Sequence, residues 1–364
     1  MKFSAATITP HSRNLQQGTG REIMVNGQPF LFFGGTAYLG LNQHPEFVAL
    51  VKEGIDRYGL NNGTSRTNNI QLGVYEEAEA YAAQRFGFQN AIFVSSGYLA
   101  AQLAVRTLTQ AYSSLQILFS PSCHPALWLN GHPGVKGDFD EWAKSVVAHI
   151  NQSTESHFIL ISNTVDNVQP RRFDFTPFLS LHPSKSVHFV LDDSHGIGVF
   201  HAAQTAVEEF KQSLGTSVHK LTVVASMAKG YGIDAGAIFS DSATIAQLKK
   251  TGYFVGASPS APAFLHAFLK GEAIYEEQLQ KLLANIHHFC AGLKDLDKWM
   301  RVPDYPVYLK PGTALFDTLA ENGMLITSFP YPNPDDPTLD RIVISAAHEA
   351  QDLEKLLGVV NKLA

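Results

Sequence analysis

Two short apolar runs, each rich in strand-forming residues, stop abruptly on loops that carry reactive side chains. His188 to Leu191 empties into Asp192-Asp193-Ser194-His195-Gly196. Thr222 to Ala225 empties into Ser226-Met227-Ala228-Lys229-Gly230-Tyr231-Gly232. A polar, helix-like segment separates them. Buried strands that end this way belong to an α/β sheet, and the edge outside the carboxyl ends of such strands is where ligands bind. The pair of runs therefore brings two aspartates, a histidine and a lysine towards one sheet edge.

A lysine amine can condense with an aldehyde. A carboxylate facing a pyridine nitrogen keeps that nitrogen protonated, so that the ring accepts electrons from a substrate carbanion. Pyridoxal phosphate chemistry needs both, and Lys229 and Asp192 suit the two roles. Ser226 offers a hydroxyl to a phosphate, and the glycines around Lys229 allow close approach of a bulky ligand. Each piece alone has an ordinary reading: paired aspartates after a strand cap a loop or helix, and a lysine among glycines marks a turn. The conjunction carries the inference.

The sequence resembles the α-oxoamine synthases, a pyridoxal phosphate family, from about Val25 to the C-terminus. The carriers are DDSHGIG at Asp192 to Gly198 and SMAKGYG at Ser226 to Gly232, with SSGYLA at Ser95 to Ala100, CHPAL at Cys123 to Leu127, NGTSR at Asn62 to Arg66 and RIVISAAHEAQDL at Arg341 to Leu353. The resemblance implies a fold-type-I pyridoxal phosphate transferase, an α/β protein. Its large domain has a mostly parallel central sheet flanked by helices, and its small C-terminal domain is α+β. It further implies that Lys229 holds the cofactor and moves the α-proton, Asp192 protonates the ring nitrogen, and His195 bonds the phenolic oxygen. His124 stacks on the ring. Gly97, Tyr98 and Ser226 meet the phosphate, joined by Ser258 from a second subunit; Asn167 approaches the ring oxygen, and Arg341 binds the substrate carboxylate. A homodimer with shared sites, using an amino acid and an acyl-CoA, follows from the same resemblance.

Composition agrees with an enzyme of this size. The 364 residues are 45% apolar and 16% charged, with a net charge of -6 that argues against nucleic-acid or anionic-membrane partners. Two cysteines, Cys123 and Cys290, form no disulfide framework, and no apolar stretch approaches the roughly 18 residues of a membrane span. A cytoplasmic protein is the expectation. The expected division is residues 1–40 as an N-terminal segment and hairpin, 41–265 as the cofactor-binding domain, 266–294 as a linking helix and 295–364 as the small domain.

Along the chain, Ile23 to Phe33 reads as a hairpin turning at Asn26-Gly27. Ala37-Tyr38-Leu39-Gly40-Leu41 resembles the family's N-x-Y-L-G-L entry to the site, or is a plain loop into a helix from Pro45 to Tyr58. Helical patterns cover Tyr75 to Phe86 and the stretch from Ser95 to about Leu108, the latter opening on a Ser-Gly turn whose free N–H groups suit a phosphate. Ala91 to Val94, Ile117 to Phe119 and Phe158 to Ile161 read as strands. Phe210 to Leu214 reads as surface helix, and Ala263 to Leu293 as one apolar helical stripe. Short segments at Val307 to Leu309, Thr313 to Glu321, Leu325 to Ser328 and Ile342 to Ser345 build the small domain, before a helix from His348.

Several positions depart from the family. Thr67 to Gln71 lacks its L-x-x-G-T pattern, Asn163 stands where an acidic residue is usual, Asn167 where a serine is, and Pro332 where a threonine is. An amide still donates hydrogen bonds, so cofactor binding survives while substrate choice shifts. An aminotransferase would use the same residues without acyl-CoA. A binding protein on this scaffold would give no reason for an intact Lys-Asp-His set. A metal hydrolase using Asp192, Asp193 and His195 lacks H-E-x-x-H or paired C-x-x-C signatures, and no metal is expected.

Overall fold

The computed structural model describes residues 15–110, 115–166, 169–215, 217–330, 335 and 338–363. The strands are β1 (Glu22–Val25), β2 (Gln28–Phe33), β3 (Asn90–Val94), β4 (Gln116–Phe119), β5 (His157–Asn163), β6 (Val165–Asp166), β7 (Arg171–Arg172), β8 (Ser186–Asp192), β9 (Lys220–Ser226), β10 (Gly236–Ser240), β11 (Val307–Tyr308), β12 (Met324–Pro330) and β13 (Thr338–Val343).

The large sheet runs in the order β3-β10-β9-β8-β5-β4. Strands β4, β5, β8 and β9 are parallel, and β10 lies antiparallel to β9 and β3. The central strands read as near-continuous apolar runs because both faces are covered, as parallel sheets require. Their two-residue alternation divides the core. Ile92, Ile159, Ile161, Val190, Val224 and Ile238 pack under the helix Gly97–Leu108. Phe93, Phe158, Leu160, Phe189, Leu191 and Phe239 face the opposite layer, which includes the helices Phe139–Gln152 and Pro262–Lys270. Burying each such side chain is worth roughly 1.5–3 kcal/mol.

A second sheet has the order β1-β2-β12-β13-β11. The N-terminal hairpin turns at Asn26 and Gly27, both in the left-handed region at φ 52° and 78°, as a two-residue turn of this hand demands. Expected as part of a separate N-terminal segment, the hairpin is instead joined to the C-terminal residues, with Leu31 opposite Met324 in a parallel pair. Arg21 strengthens the join with two hydrogen bonds to buried Asp352, at 2.6 and 2.8 Å.

The long stripe expected from Ala263 is broken at Gly271, where the chain passes between the helices Pro262–Lys270 and Glu272–Gly292. A Cβ there would meet Ala267 O at 2.9 Å. The segment at Phe210 is more than surface, since Phe210 and Leu214 are buried. The final helix starts at Ala350, not His348, because Glu349 and Asp352 form a capping box. His348 is instead buried against Phe33, with ring centroids 4.3 Å apart. No described helix is long and apolar enough to cross a membrane.

Candidate active site

Lys229 follows directly from the end of β9. The backbone makes a single helical turn, Met227–Gly230, fixed where Met227 N–H donates to Ala235 O at 2.9 Å. Gly230 packs so close that a Cβ would meet Ile197 O at 2.5 Å, which presses this turn onto the loop after β8. Burial lowers the Lys229 amine from its usual range, while Asp192 opposes the shift. An amine so placed is neutral more of the time near neutral pH, as a base must be.

Asp192 and Asp193 part company. Asp192, the last residue of β8, accepts the Ser194 N–H at 2.9 Å and has its charge felt at Lys229 and His124. Asp193 turns into the scaffold, accepting from Thr164 Oγ1 at 2.5 Å and Ala206 N at 3.0 Å. Complete burial raises its pKa to about 7. Asp193 thus ties the loop after β8 to Thr164, just beyond β5, and to the segment at Ala206, leaving one carboxylate for the site.

His195 hydrogen-bonds through Nδ1 to the Tyr38 hydroxyl at 2.7 Å. Burial drives His195 well below the usual imidazole range, and the positive charges of Lys229 and Arg341 push the same way. His124 caps the turn Pro125–Leu127, its Nδ1 accepting Ala126 N–H at 3.2 Å. Burial lowers its pKa, Asp192 raises it, and Lys229 lowers it. Lys229, Asp192, His124 and His195 therefore form one electrostatically coupled group.

Ser96-Gly97 meets Ser226 at the opening of the helix Gly97–Leu108. A Cβ on Gly97 would lie 2.5 Å from Ser226 Cβ, and one on Gly236 would lie 2.0 Å from Ser96 O, so only glycines permit this approach. Ser96 caps the helix by accepting Leu99 N–H at 3.2 Å, and the first-turn amides of Gly97 and Tyr98 have no acceptor within the helix. The Tyr98 side chain itself is 62% exposed.

Arg341 sits on β13 opposite Thr327, half-buried, with its charge felt at Tyr38, His195 and Tyr305. The small sheet thus delivers it to the group. Ser258 is exposed beyond the helix Gly252–Gly256 and is not brought to Lys229 by any contact among the described residues of this chain. Asn167 and Pro332 lie outside the described residues. Sequence reasoning left Tyr38 undecided and missed Tyr305, whose ring stacks on Phe200 at 5.2 Å and whose hydroxyl is 3.5 Å from that of Tyr38. The YLGL run was the available signal for Tyr38; Tyr305 had none.

Comparison with known proteins gives a consistent set. A family model described as aminotransferase class I and II matches residues 30–360. The 8-amino-7-oxononanoate synthase of Pseudomonas paraeruginosa is 26% identical over 365 residues, covering 96% of this chain and 89% of the relative. The serine palmitoyltransferase of Sphingomonas wittichii superposes with a TM-score of 0.83 at 18% identity, covering 98% and 93% of the two chains. A high-resolution structure of SPT with PLP gives 0.82 at 16%, covering 99% and 94%. Both superpositions match the fold.

Proposed function

Because the chain belongs to the aminotransferase class I and II family, we propose that it is a pyridoxal 5'-phosphate-dependent acyltransferase of the α-oxoamine synthase type. It condenses a small amino acid with an acyl-CoA, in the manner of the 8-amino-7-oxononanoate synthases it resembles. The observation that carries this reading is Asp192 ending β8 and Lys229 following β9, its neighbour in the sheet, with their charges coupled.

The residues fit the cofactor. Lys229 offers a buried amine, Asp192 a carboxylate, and the Ser96-Gly97 turn with Ser226 a spot where helix amides and a hydroxyl converge. When bound, pyridoxal phosphate supplies an aldehyde carbon and an electron-accepting ring. Lys229 would be the amine that holds it and the base for the α-proton, Asp192 would keep the ring nitrogen protonated, and His195 would hydrogen-bond its phenolic oxygen. His124 would lie against the ring, and Arg341 would take the substrate carboxylate through paired N–H groups. In the net reaction the amino-acid α-carbon loses its proton and bonds to the acyl carbon, the thiolate leaves and is protonated to free CoA, and the carboxylate departs as carbon dioxide, after which the α-carbon takes up a proton.

The working form in this reading is a homodimer, with Ser258 of each subunit completing the other's phosphate site. Exposed apolar residues at Leu60, Ile70, Tyr98, Tyr253 and Val255, all in segments beside the cofactor-binding motifs, support it. A cytoplasmic setting is supported by the two free cysteines.

The test is thiol release. Purified protein saturated with pyridoxal phosphate is given glycine, alanine or serine, then a panel of acyl-CoAs. Free CoA should appear only when amino acid and a matching acyl-CoA are both present. Stoichiometric pyridoxamine phosphate with a keto acid, and no thiol across the panel, would make the chain an aminotransferase instead.

A further inference from the structure

The last residue of β5, Asn163, is 3% exposed and pairs in register with Asp192 of β8. Both ends of its carboxamide are occupied. Oδ1 accepts the backbone N–H of His124 at 3.0 Å, and Nδ2 donates to the carbonyl of Ser122 at 2.7 Å. Ser122 is one of few non-glycine residues at positive φ among the described residues, 55°, a conformation that costs a residue with a Cβ and persists only where its surroundings enforce it. His124 then completes the turn by accepting Ala126 N–H through Nδ1. One amide therefore grips both sides of the strained corner from which His124 enters the site.

We propose that Asn163 is a positioning residue: its carboxamide clamps the Ser122–His124 corner and so sets the His124 ring against the Lys229–Asp192 group. The role of His124 rests on the function proposed above; the clamp itself does not. The requirement is for a donor and an acceptor on one planar group. Leucine supplies neither. An ionised aspartate still accepts from His124 N–H but turns a carboxylate oxygen onto the Ser122 carbonyl. A protonated aspartate restores the pattern, since its hydroxyl donates and its carbonyl accepts. The titratable groups around this position are His124 and Cys123 on the corner, Asp192 on β8 and Lys229 beyond it. Burial and the nearby Asp192 charge raise the pKa of a carboxyl placed here, which puts the switch in a measurable range.

The experiment uses the full chain with Asn163→Asp and Asn163→Leu. The first readout is the His124 imidazole signal in cofactor-free, histidine-labelled protein, assigned by loss in His124→Gln. In Asn163→Asp the signal should be displaced at pH 8 and return to the wild-type position as pH falls; in Asn163→Leu it should stay displaced throughout. The second readout is turnover with saturating cofactor: a loss of about tenfold at pH 8, from one unmatched buried polar group, that closes on acidification only in Asn163→Asp, with KM for the amino acid little changed. A wild-type His124 signal in both variants at pH 8, or identical pH profiles for the two variants, overturns the proposal. Should either variant fail to fold at pH 8, Asn163→Asp must fold at acid pH while Asn163→Leu does not; equal failure at all pH overturns it as well. If no acyl-CoA releases thiol even with wild-type protein, the functional reading fails while the imidazole signal still decides the clamp.

Discussion

The Tyr38 hydroxyl lies 2.7 Å from His195 Nδ1, joining the loop before the first long helix to the loop after β8. Burial raises the Tyr38 pKa and lowers that of His195. The phenol therefore keeps its proton and donates it, Nδ1 accepts, and the imidazole proton resides on Nε2. A neutral ring with a fixed tautomer is a directional donor.

Tyr38→Phe should release that tautomer. Losing a buried hydrogen bond of about 1–1.5 kcal/mol should lower turnover roughly tenfold while Lys229 still attaches the cofactor. Nitrogen shifts of His195 should show an Nδ1–H population absent from the wild type; an unchanged tautomer would remove Tyr38 from this role.

Lys229→Ala should abolish covalent attachment of pyridoxal phosphate. Borohydride reduction followed by peptide mapping should place the label on Lys229 in the wild type and nowhere in the variant. Label on a different lysine would contradict the site assigned above.

Asp192→Asn should keep cofactor but lose most turnover. A hydrogen bond to a charged group is worth about 1.5–3 kcal/mol, so a ten- to hundredfold fall in kcat is expected. Asp192 also holds the Lys229 amine up, so the acidic limb of the pH–rate profile, where Lys229 must lose its proton to act as a base, should move to lower pH. Asp193 cannot substitute, because both its oxygens are committed to Thr164 and Ala206.

Asp193 makes its own prediction. Burial raises its pKa to about 7, above the unfolded carboxylate range. The folded protein thus binds a proton that the unfolded chain has lost, so this group's contribution is fully present below about pH 4 and declines as pH rises towards 7. Asp193→Asn removes the titration but sets its amide against Ala206 N–H or Thr164 Oγ1. Denaturant melts should show lower stability at pH 5 and a flatter pH dependence between 4 and 7.

The sequence was most legible where one local rule suffices. Runs such as Val190-Leu191 and Val223-Val224 announce buried strands, and Asn26-Gly27 announces its turn. The helix Phe139–Gln152 went unread, although Asp138 caps it by accepting the N–H groups of Asp140 and Glu141; the signal was present and unused. Other features were beyond local reading. The pairing of β2 with β12, the division of labour between Asp192 and Asp193, and the approach of Tyr305 to Tyr38 depend on residues far apart in the chain. Motif resemblance selected Lys229, Asp192, His124, His195 and Arg341, which the fold gathers, but it could not say what Asn163 does, since that residue acts through the backbone of another loop.

The parallel pairing of Leu31 with Met324 also sets an order of events during synthesis. The hairpin emerges from the ribosome well before β12, so β2 pairs with β1 at once while its other edge stays open until β12 has been made. The large sheet can be laid down while the hairpin waits, and the small sheet closes last. Arg341 rides on that late sheet, so a nascent chain can gather Lys229 and Asp192 well before Arg341 joins them. Emergence of β12 and β13 is in effect the final step in gathering these side chains.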